Sequence, residues 1–572
     1  MDAFERTFVQ SHPAAASRKD HVALVPLRDA LLGGMRSGLV QSLAVGLLLL
    51  LLAITNAAGL VLANGISRRR EFAVRRALGA TRGRIVRLLA LEVSVIAIGG
   101  VALGLAIGKF TAVFVSGLIP PDLMDLTTGG GRAGAVGFAA AALILCVAGA
   151  GVFPAMTASD VDLQDSLKAS DTHATSRVSP IRRGLLITQI AITSVLLVAA
   201  SLLLQSLWRL DHVNKGFQTD GVVAIDVSLP STHYGSVASV ADFNRAAMDQ
   251  LSALPQVASA GAVNILPLTG GSAALALQIE GRPVPSDPAE RPRAEYLIAS
   301  PGYFSTLGIP LLRGRGFTSA DDQQAPHVAL INKTMADRYW PGADPIGTQV
   351  KYPWDTTRYT IVGVVGSVRD VRLDDADYWP GQIYFPAAQS RVSTETFVVR
   401  TVARPDASLS TAVRRAVQTV APNIPPFNVR PLSAVVAESI ASRRTTALLT
   451  AAAGILALLI AAGGLYGVVA EGIERRSREI GIRIALGANP SRVVALVLHE
   501  TGRLMAIAIP VGMVCSLAAV RLLSHLLYEV RATDTATFVA VPAVLLMVAI
   551  AASIGGILRA FRVDPVHMLR AE

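Results

Sequence analysis

The ionisable side chains whose spacing suggests a role fall into two matched sets. Glu71 lies four residues before Arg75, and Glu479 four before Arg483, the order in which an acid followed by a base supports one helical turn. Such pairs present charge on a helix surface and do not make or break bonds. Catalytic groupings are missing from the sequence: none of the nine His forms a His-Glu-x-x-His pair, no Gly-x-Ser-x-Gly elbow occurs, and Asp374, Asp375 and Asp377 lack a calcium-loop pattern. The nearest approach to a phosphate loop, Gly104 to Gly108 and then Lys109, has the wrong spacing and no following Ser or Thr. Cys146 and Cys515 lie inside apolar runs, which leaves neither a disulfide framework nor a Cys-based metal site. No catalytic residue, metal or cofactor is expected in this chain. Gly100, Gly104 and Gly108, like Gly463 and Gly467, have the small-xxx-small spacing that lets membrane helices approach closely; a substrate gate is the other reading.

The paired charges belong to a longer repeat. Glu71 to Glu92 and Glu479 to Glu500 align without gaps at an offset of 408 and match at ten of 22 positions. Among the matches are Ala77/Ala485, Leu78/Leu486, Gly79/Gly487, Ala80/Ala488 and Arg84/Arg492. A weaker echo links Val161, Asp162, Leu167 and Ala169 to Val563, Asp564, Leu569 and Ala571. Each copy predicts a short helix ended by Gly79 or Gly487 in the left-handed conformation. Thr81, or Asn489 followed by Pro490, then starts the next helix. The chain therefore reads as two copies of one unit.

The elements that must position these turns are membrane helices. The 572 residues are 52% hydrophobic and only 16% charged, against about 25% charged in soluble domains, and the mean hydropathy is +0.49. A helix needs about 20 apolar residues to cross a bilayer, and seven stretches qualify: about 40–66, 88–116, 134–157, 184–207, 445–470, 503–527 and 536–558. The net charge of +11 could point to nucleic acid, but the arginines cluster beside the apolar runs as the positive-inside rule requires, so the expected partner is the lipid bilayer and not nucleic acid. Residues 67–87 hold eight Arg against the single acid Glu71. This connection, 158–183, 471–502 and the tail are predicted to be cytoplasmic, and alternation places 1–39 and the long segment 208–442 outside. Met1 to Asp20 has no apolar core of a signal peptide.

The predicted architecture is a polytopic α-helical membrane protein of about seven spans with a large α+β extracytoplasmic domain. Strand 222–229, helix 238–253 and strand 256–264 are mirrored by strand 396–403, helix 408–420 and strand 426–430. Two split β-α-β units suggest a ferredoxin-like subdomain, with 270–395 inserted as a mostly β lobe. The divisions are 1–39, an extracytoplasmic remnant; 40–157, the first membrane unit; 158–183, a cytoplasmic linker; 184–207, the fourth span; 208–442, the exposed domain; 443–560, the second membrane unit; and 561–572, a cytoplasmic tail.

The repeated Glu-x-x-x-Arg-x-Ala-Leu-Gly-Ala motif, followed by Arg84 or Arg492 and a membrane helix, resembles the FtsX-like permease domain of ABC transporters of the MacB type. Residues 295–386 resemble the MacB-like periplasmic core domain in Ser300-Pro301-Gly302-Tyr303-Phe304, Gly308-Ile309-Pro310, Gly314-Arg315-Gly316-Phe317, Trp340-Pro341-Gly342 and Ile361-Val362-Gly363-Val364-Val365, among others. The whole is similar to the long permease type that fuses two such units, although a full duplicate would have eight spans and two exposed domains. The resemblance implies a permease in the bacterial inner membrane, a pseudo-dimer within one chain. A separate cytoplasmic ABC ATPase dimer, holding ATP and Mg, would move its coupling helices, and the spans would pass that motion to the periplasmic domain for export. It places ATPase docking on Glu71, Arg75, Ala77, Leu78 and Gly79 and on Glu479, Arg483, Ala485, Leu486 and Gly487. A periplasmic adaptor or envelope protein is a further implied partner. Relatives that regulate a periplasmic enzyme such as a cell-wall hydrolase supply the contrasting expectation.

Overall fold

A computed structural model describes residues 27–116, 121–158, 175–271, 273–287, 290–353, 356–370, 373, 381–403, 407–475, 490–523 and 527–561. The chain divides into two compact units, one formed by Leu210–Ser442 and the other by the membrane helices on either side of it. In chain order the first helices are α1 (Leu27–Ser67), α2 (Arg69–Ala77), α3 (Arg82–Ser116), α4 (Pro121–Cys146), a π-helical turn at Val147–Val152, α5 (Phe153–Ala158) and α6 (Thr175–Asp211). The π turn occurs where small residues press against neighbours: a Cβ at Gly151 would stand 3.3 Å from the Ala90 backbone, so the wider turn falls where α4 crosses α1 and α3.

In the exposed domain, β1 (Val222–Ser228), α7 (Val237–Ser252) and β2 (Val257–Val263) come first. The inserted lobe follows, with β3 (Ala274–Ala276), β4 (Gln278–Ile279), β5 (Arg293–Ala299), α8 (Gly302–Leu307), β6 (Leu311–Gly314), β7 (Val328–Asn332), α9 (Lys333–Tyr339), β8 (Gln349–Lys351), β9 (Tyr359–Val365) and β10 (Gln382–Pro386). β11 (Thr394–Thr401), α10 (Ala407–Val420), β12 (Phe427–Pro431) and α11 (Leu432–Ser439) close it, before α12 (Ala441–Arg475), α13 (Pro490–Leu523) and α14 (Thr535–Phe561) return to the membrane unit.

Seven helices among the described residues are long and apolar enough to cross a membrane, at Val40–Gly65, Arg82–Phe110, Gly134–Met156, Pro180–Asp211, Ala441–Gly472, Val497–Arg521 and Thr535–Gly555. They coincide with the seven predicted spans. Their enclosure is unequal: 67% of the apolar stretch of α6 is buried by protein, against 6% for α3 and 33% for α12. α6 is thus the post around which the bundle is built. Its Ile190, Val198 and Leu202 pack with Leu465, Met505, Ala508 and Leu545, and its Ile192 and Leu196 with Leu52 and Ala457. Gln189 Nε2 donates to the Ile460 carbonyl at 2.9 Å, and Gln205 Nε2 to Thr537 Oγ1 at 2.8 Å.

Two expected boundaries shift. The helix carrying the first span begins at Leu27, so 27–39 are helical and continuous with that span; 1–26 lie outside the described residues. The linker 158–183 is helical from Thr175, where α6 starts.

The exposed domain has one sheet whose main path runs β12-β1-β11-β2-β5-β10-β7-β9-β8-β4. Its first four strands are antiparallel neighbours, the ferredoxin-like order expected from the two split units, with boundaries within two residues of prediction. The inserted lobe adds parallel pairs, β5 with β10 and β7 with β9. It joins the first half through a single register pair, Val263 with Ala299. The seam needs glycine: a Cβ on Gly261 would lie 2.5 Å from the backbone of Tyr303 at the head of α8. Each half has its own core, one around Ile225, Phe243, Phe397 and Val413 and one around Ile331, Ile361, Trp340 and Phe385.

Three carboxyls are sealed inside this domain. Burial raises the Asp370 carboxyl well above the usual carboxylate range, with the neighbouring Glu295 adding to the rise. Gln382 holds Asp370, donating from Nε2 to Oδ2 at 3.1 Å, and its own Oε1 accepts from Asn332 Nδ2 at 2.8 Å. Burial pushes Glu395 up to about 8, opposed by the Asn244 amide that donates to it at 3.0 Å. An acid whose folded value lies above its ordinary 4.5 favours the neutral form on folding, so its contribution is full below about pH 4.5 and is lost as pH rises through about 8. Glu395→Gln keeps an acceptor for Asn244 and cannot ionise. It should raise the unfolding temperature relative to wild type near pH 9 and narrow that gap near pH 5, read from thermal unfolding of the full chain at both pH values.

Candidate functional site

α2 leaves the end of α1 after Arg68 and stops at a turn built by glycine. Leu78 caps the helix, Gly79 N–H donates to the Arg76 carbonyl at 3.0 Å and Ala80 N–H to the Arg75 carbonyl at 2.9 Å. This is the paired bonding of a Schellman end, and Gly79 takes the positive φ of 91° it requires. Arg84 N–H then donates to the Thr81 carbonyl at 3.0 Å as α3 begins. The helix, break and membrane helix expected for the first copy are all present.

Two interactions hold this elbow. Phe72, 1% exposed, inserts among Ile85, Leu89 and Ala155, which pins α2 to α3 and α5. Arg68 forms the second: Nε and Nη2 donate to the two Glu71 oxygens at 2.8 and 3.2 Å, and Nη1 to the Glu92 carboxylate at 3.0 Å. Arg75 Nη2 reaches Glu71 Oε1 at 2.7 Å, so the expected i, i+4 pair exists. The hydrogen bonds from Arg68 hold the Glu71 carboxyl below the usual range. The guanidinium also lies 5.5 Å over the Phe72 ring. One arginine thereby ties the end of α1, the first turn of α2 and the third turn of α3 into one corner.

One exposed face of α2 is apolar. Val74 is 59% and Leu78 82% exposed, and Ala77 beside them is exposed too; positions 74, 77 and 78 share one helical face. Arg75 borders that stripe. Among the described residues no group of three metal-ligating side chains occurs. Glu71, Arg75, Ala77, Leu78 and Gly79 are brought together. Glu479, Arg483, Ala485, Leu486 and Gly487 lie outside the described residues. Arg68, Phe72 and Glu92 were missed as site residues; the available signal was the repeat, which matches Glu92 with Glu500 and sets Arg68 against Arg476.

The glycine stripes behave differently from expectation. A Cβ at Gly100, Gly104, Gly108, Gly463 or Gly467 would meet no atom within 4 Å, so none of these supports close helix packing among the described residues. Close approach falls instead on Gly464, where a Cβ would stand 2.8 Å from the Gln189 amide and 3.1 Å from Asn56 Oδ1, and on Gly512 against α6. Gly464, Gly467, Val468 and Glu471 of α12 line a cavity of about 60 Å³ together with Asn56, Gly59, Leu60 and Ala63 of α1. At the 408-residue offset these are four equivalent pairs, so the two helices meet with like faces, as a two-fold contact does.

Helices enough for seven crossings, a repeated sequence motif whose first copy folds as an arginine elbow, and a split ferredoxin-like domain mark a multi-pass membrane permease. The chain belongs to the FtsX-like permeases of the MacB type: residues 43–162 and 451–565 match the FtsX-like permease C-terminal domain, and residues 184–420 match the MacB-like periplasmic core domain. It is 26% identical over 217 residues to the macrolide export ATP-binding/permease protein MacB of Azoarcus sp., covering 36% of this chain and 32% of that protein. It is 26% identical over 281 residues to the pyoverdine export ATP-binding/permease protein PvdT of Pseudomonas savastanoi pv. phaseolicola, covering 46% of this chain and 40% of that protein. The chain thus spans about a third to two fifths of these relatives. Among solved structures, the periplasmic region of MacB from Actinobacillus actinomycetemcomitans matches at 14% identity with a TM-score of 0.27, covering 40% of this chain and 95% of that one.

The elbow's rigidity is testable by amide exchange. Valine at Gly79 cannot take a φ of 91° without strain of about 1–2 kcal/mol or more, so Gly79→Val should speed exchange across 69–80 several-fold, while Gly79→Asn, tolerated in that region, should change it little. Equal exchange in both variants would remove the left-handed turn from the account.

Proposed function

We propose that this chain is the permease subunit of an ABC transporter in the bacterial inner membrane, with 208–442 in the periplasm. Its two arginine elbows are coupling helices on which the two subunits of a separate ATPase dock. Nucleotide and Mg belong to that partner, and ATP hydrolysis is expected there. The observation that carries the reading is the first elbow: an apolar stripe of Val74, Ala77 and Leu78, bordered by Arg75, on a corner braced by Arg68. Force delivered to such a corner moves α1 and α3 together and is not absorbed by a yielding loop. The equivalent-face contact of α1 with α12 supports one chain acting as two permease units. Export of a substrate from the envelope follows by analogy with the relatives' printed names, and an envelope adaptor is the further partner proposed.

Two measurements test this. Cysteine at Ser236 should label from outside spheroplasts, and cysteine at Ser477 only after permeabilisation; labelling of Ser477 in sealed cells would reverse the topology. Leu78→Asp with Leu486→Asp should reduce ATPase co-purification by roughly tenfold or more, as desolvated apolar anchors at interfaces do, while insertion and the domain's melting stay unchanged. Full retention of the ATPase by a folded double variant would refute docking at the elbows.

A further inference from the structure

Residues 213–221 lead from the end of α6 into β1 and are held as a strap. Gly216 and Gly221 take positive φ values of 81° and 68°, and a Cβ on Gly216 would collide with the Ser367 carbonyl oxygen. The Lys215 carbonyl accepts from Arg369 N–H at 3.0 Å, and Gln218 N–H donates to the Leu307 carbonyl at 2.8 Å. The strap and Arg400 of β11 border a cavity of about 310 Å³, lined by Asn214, Lys215, Gln218, Thr219, Asp220 and Arg400 among others. Sites for small molecules run from roughly 300 to 1,000 Å³, and all the residues around this one belong to the exposed unit.

The charge of the cavity is unbalanced. Lys215 Nζ donates to the Asp211 carbonyl at 3.1 Å, and Arg400 donates from Nε to the Thr306 carbonyl at 2.9 Å and from Nη1 to the Asp220 carbonyl at 3.2 Å. All three acceptors are neutral. Among the described residues neither cation pairs with a carboxylate, and Arg400 Nη2, shielded from solvent, has no acceptor. Buried donors in folded proteins are nearly always bonded, so an orphaned one points to a group from outside the chain. Asp220 is the one acid on the lining, which leaves a net positive charge on a loop already fixed in place.

We infer that this cavity binds the phosphodiester headgroup of an anionic phospholipid in the outer leaflet. A phosphate offers several acceptor oxygens, which suit the planar fork of Arg400 and the point charge of Lys215 together. The source follows from the chain. Trp208, 63% exposed in the last turn of α6, is the residue type that settles at the headgroup level of a bilayer, and the span itself ends at Asp211. Val213, the first residue of the lining, follows two residues later, at most about 7 Å of extended chain. A soluble phosphate has the same oxygens but gives no reason for the cavity to open where a membrane span ends. The choice of leaflet rests on the proposed periplasmic placement of 208–442; the chemistry of the cavity does not.

The test is amide exchange of the full chain in nanodiscs. These present both bilayer faces, so the result does not depend on topology, which the cysteines at Ser236 and Ser477 read separately. Replacing pure phosphatidylcholine, whose choline cancels the phosphate charge, with a mixture containing phosphatidylglycerol should slow exchange across 213–221 several-fold, because a ligand suppresses local opening in proportion to its occupancy. Exchange in α7 should not change. Lys215→Gln keeps a donor for the Asp211 carbonyl and loses the charge; it should abolish the slowing, and Lys215→Arg should retain it, with thermal unfolding alike in both. No slowing by phosphatidylglycerol in the wild type, or equal slowing in Lys215→Gln, would overturn the site. Equal protection by inorganic phosphate added to phosphatidylcholine discs would overturn the lipid headgroup in favour of a soluble anion.

Discussion

Hydrocarbon competes with side chains for every apolar surface inside a bilayer, so helices stay together only where backbones approach closely or polar groups bond across the gap. Both conditions converge on α6. Gly464 and Gly512 let its Gln189 and Ser194 come in close, and Gln189 and Gln205 bond to α12 and α14 along its length. Tyr528 N–H donates to Ser206 Oγ at 2.9 Å near its far end. Remove this contact surface and the second repeat has no reason to close around anything. The first repeat, whose α1 touches α6 through Leu52, would keep only its contact with α12.

The elbow depends on that frame because its anchor is a membrane helix end. Phe72 is a hydrophobic peg in a hole made by α3 and α5, and Arg68 supplies the directional part, with one planar fork bonding two carboxylates on two helices. Lysine offers a point charge in place of a fork and would hold only one of them. Surface ion pairs alone are weak, about 0–1 kcal/mol. The peg therefore carries the stability of the corner, and the arginine carries its geometry.

Much of this was legible beforehand, and the reasons differ by element. Span positions follow from run length alone, and the ferredoxin-like order follows from two β-α-β segments at the ends of 208–442, since alternation and turn residues mark strands and helices locally. Gly79 was readable because only a left-handed cap explains glycine after Glu-x-x-x-Arg-x-Ala-Leu. Arg68 was not, because one arginine in a run of three carries no sign of its partner, and Glu92 is 24 residues away. The glycine stripe misled for a related reason. Small-xxx-small spacing reports that a close neighbour fits, and among the described residues no atom lies within 4 Å of a Cβ at these glycines. The joining of the inserted lobe to the sheet through one pair, Val263 with Ala299, has no local signal at all.

The places where the two repeats differ are as informative as those where they agree. A contact between like faces sets only the residues on its axis opposite their own equivalents, and a large side chain there would meet its own copy. Here Asn56 faces Gly464, and the space glycine leaves is taken by the Gln189 amide. Ala63 is likewise equivalent to Glu471, which pairs with Arg182 at 2.5 Å; acids at both positions would place like charges around one small cavity with a single arginine to answer them. Duplication within one chain permits this division, because each copy can mutate alone. The motif after the first span of each repeat retains Glu, Arg and Gly in both copies, whereas the shared cavity has room for only one set of polar side chains.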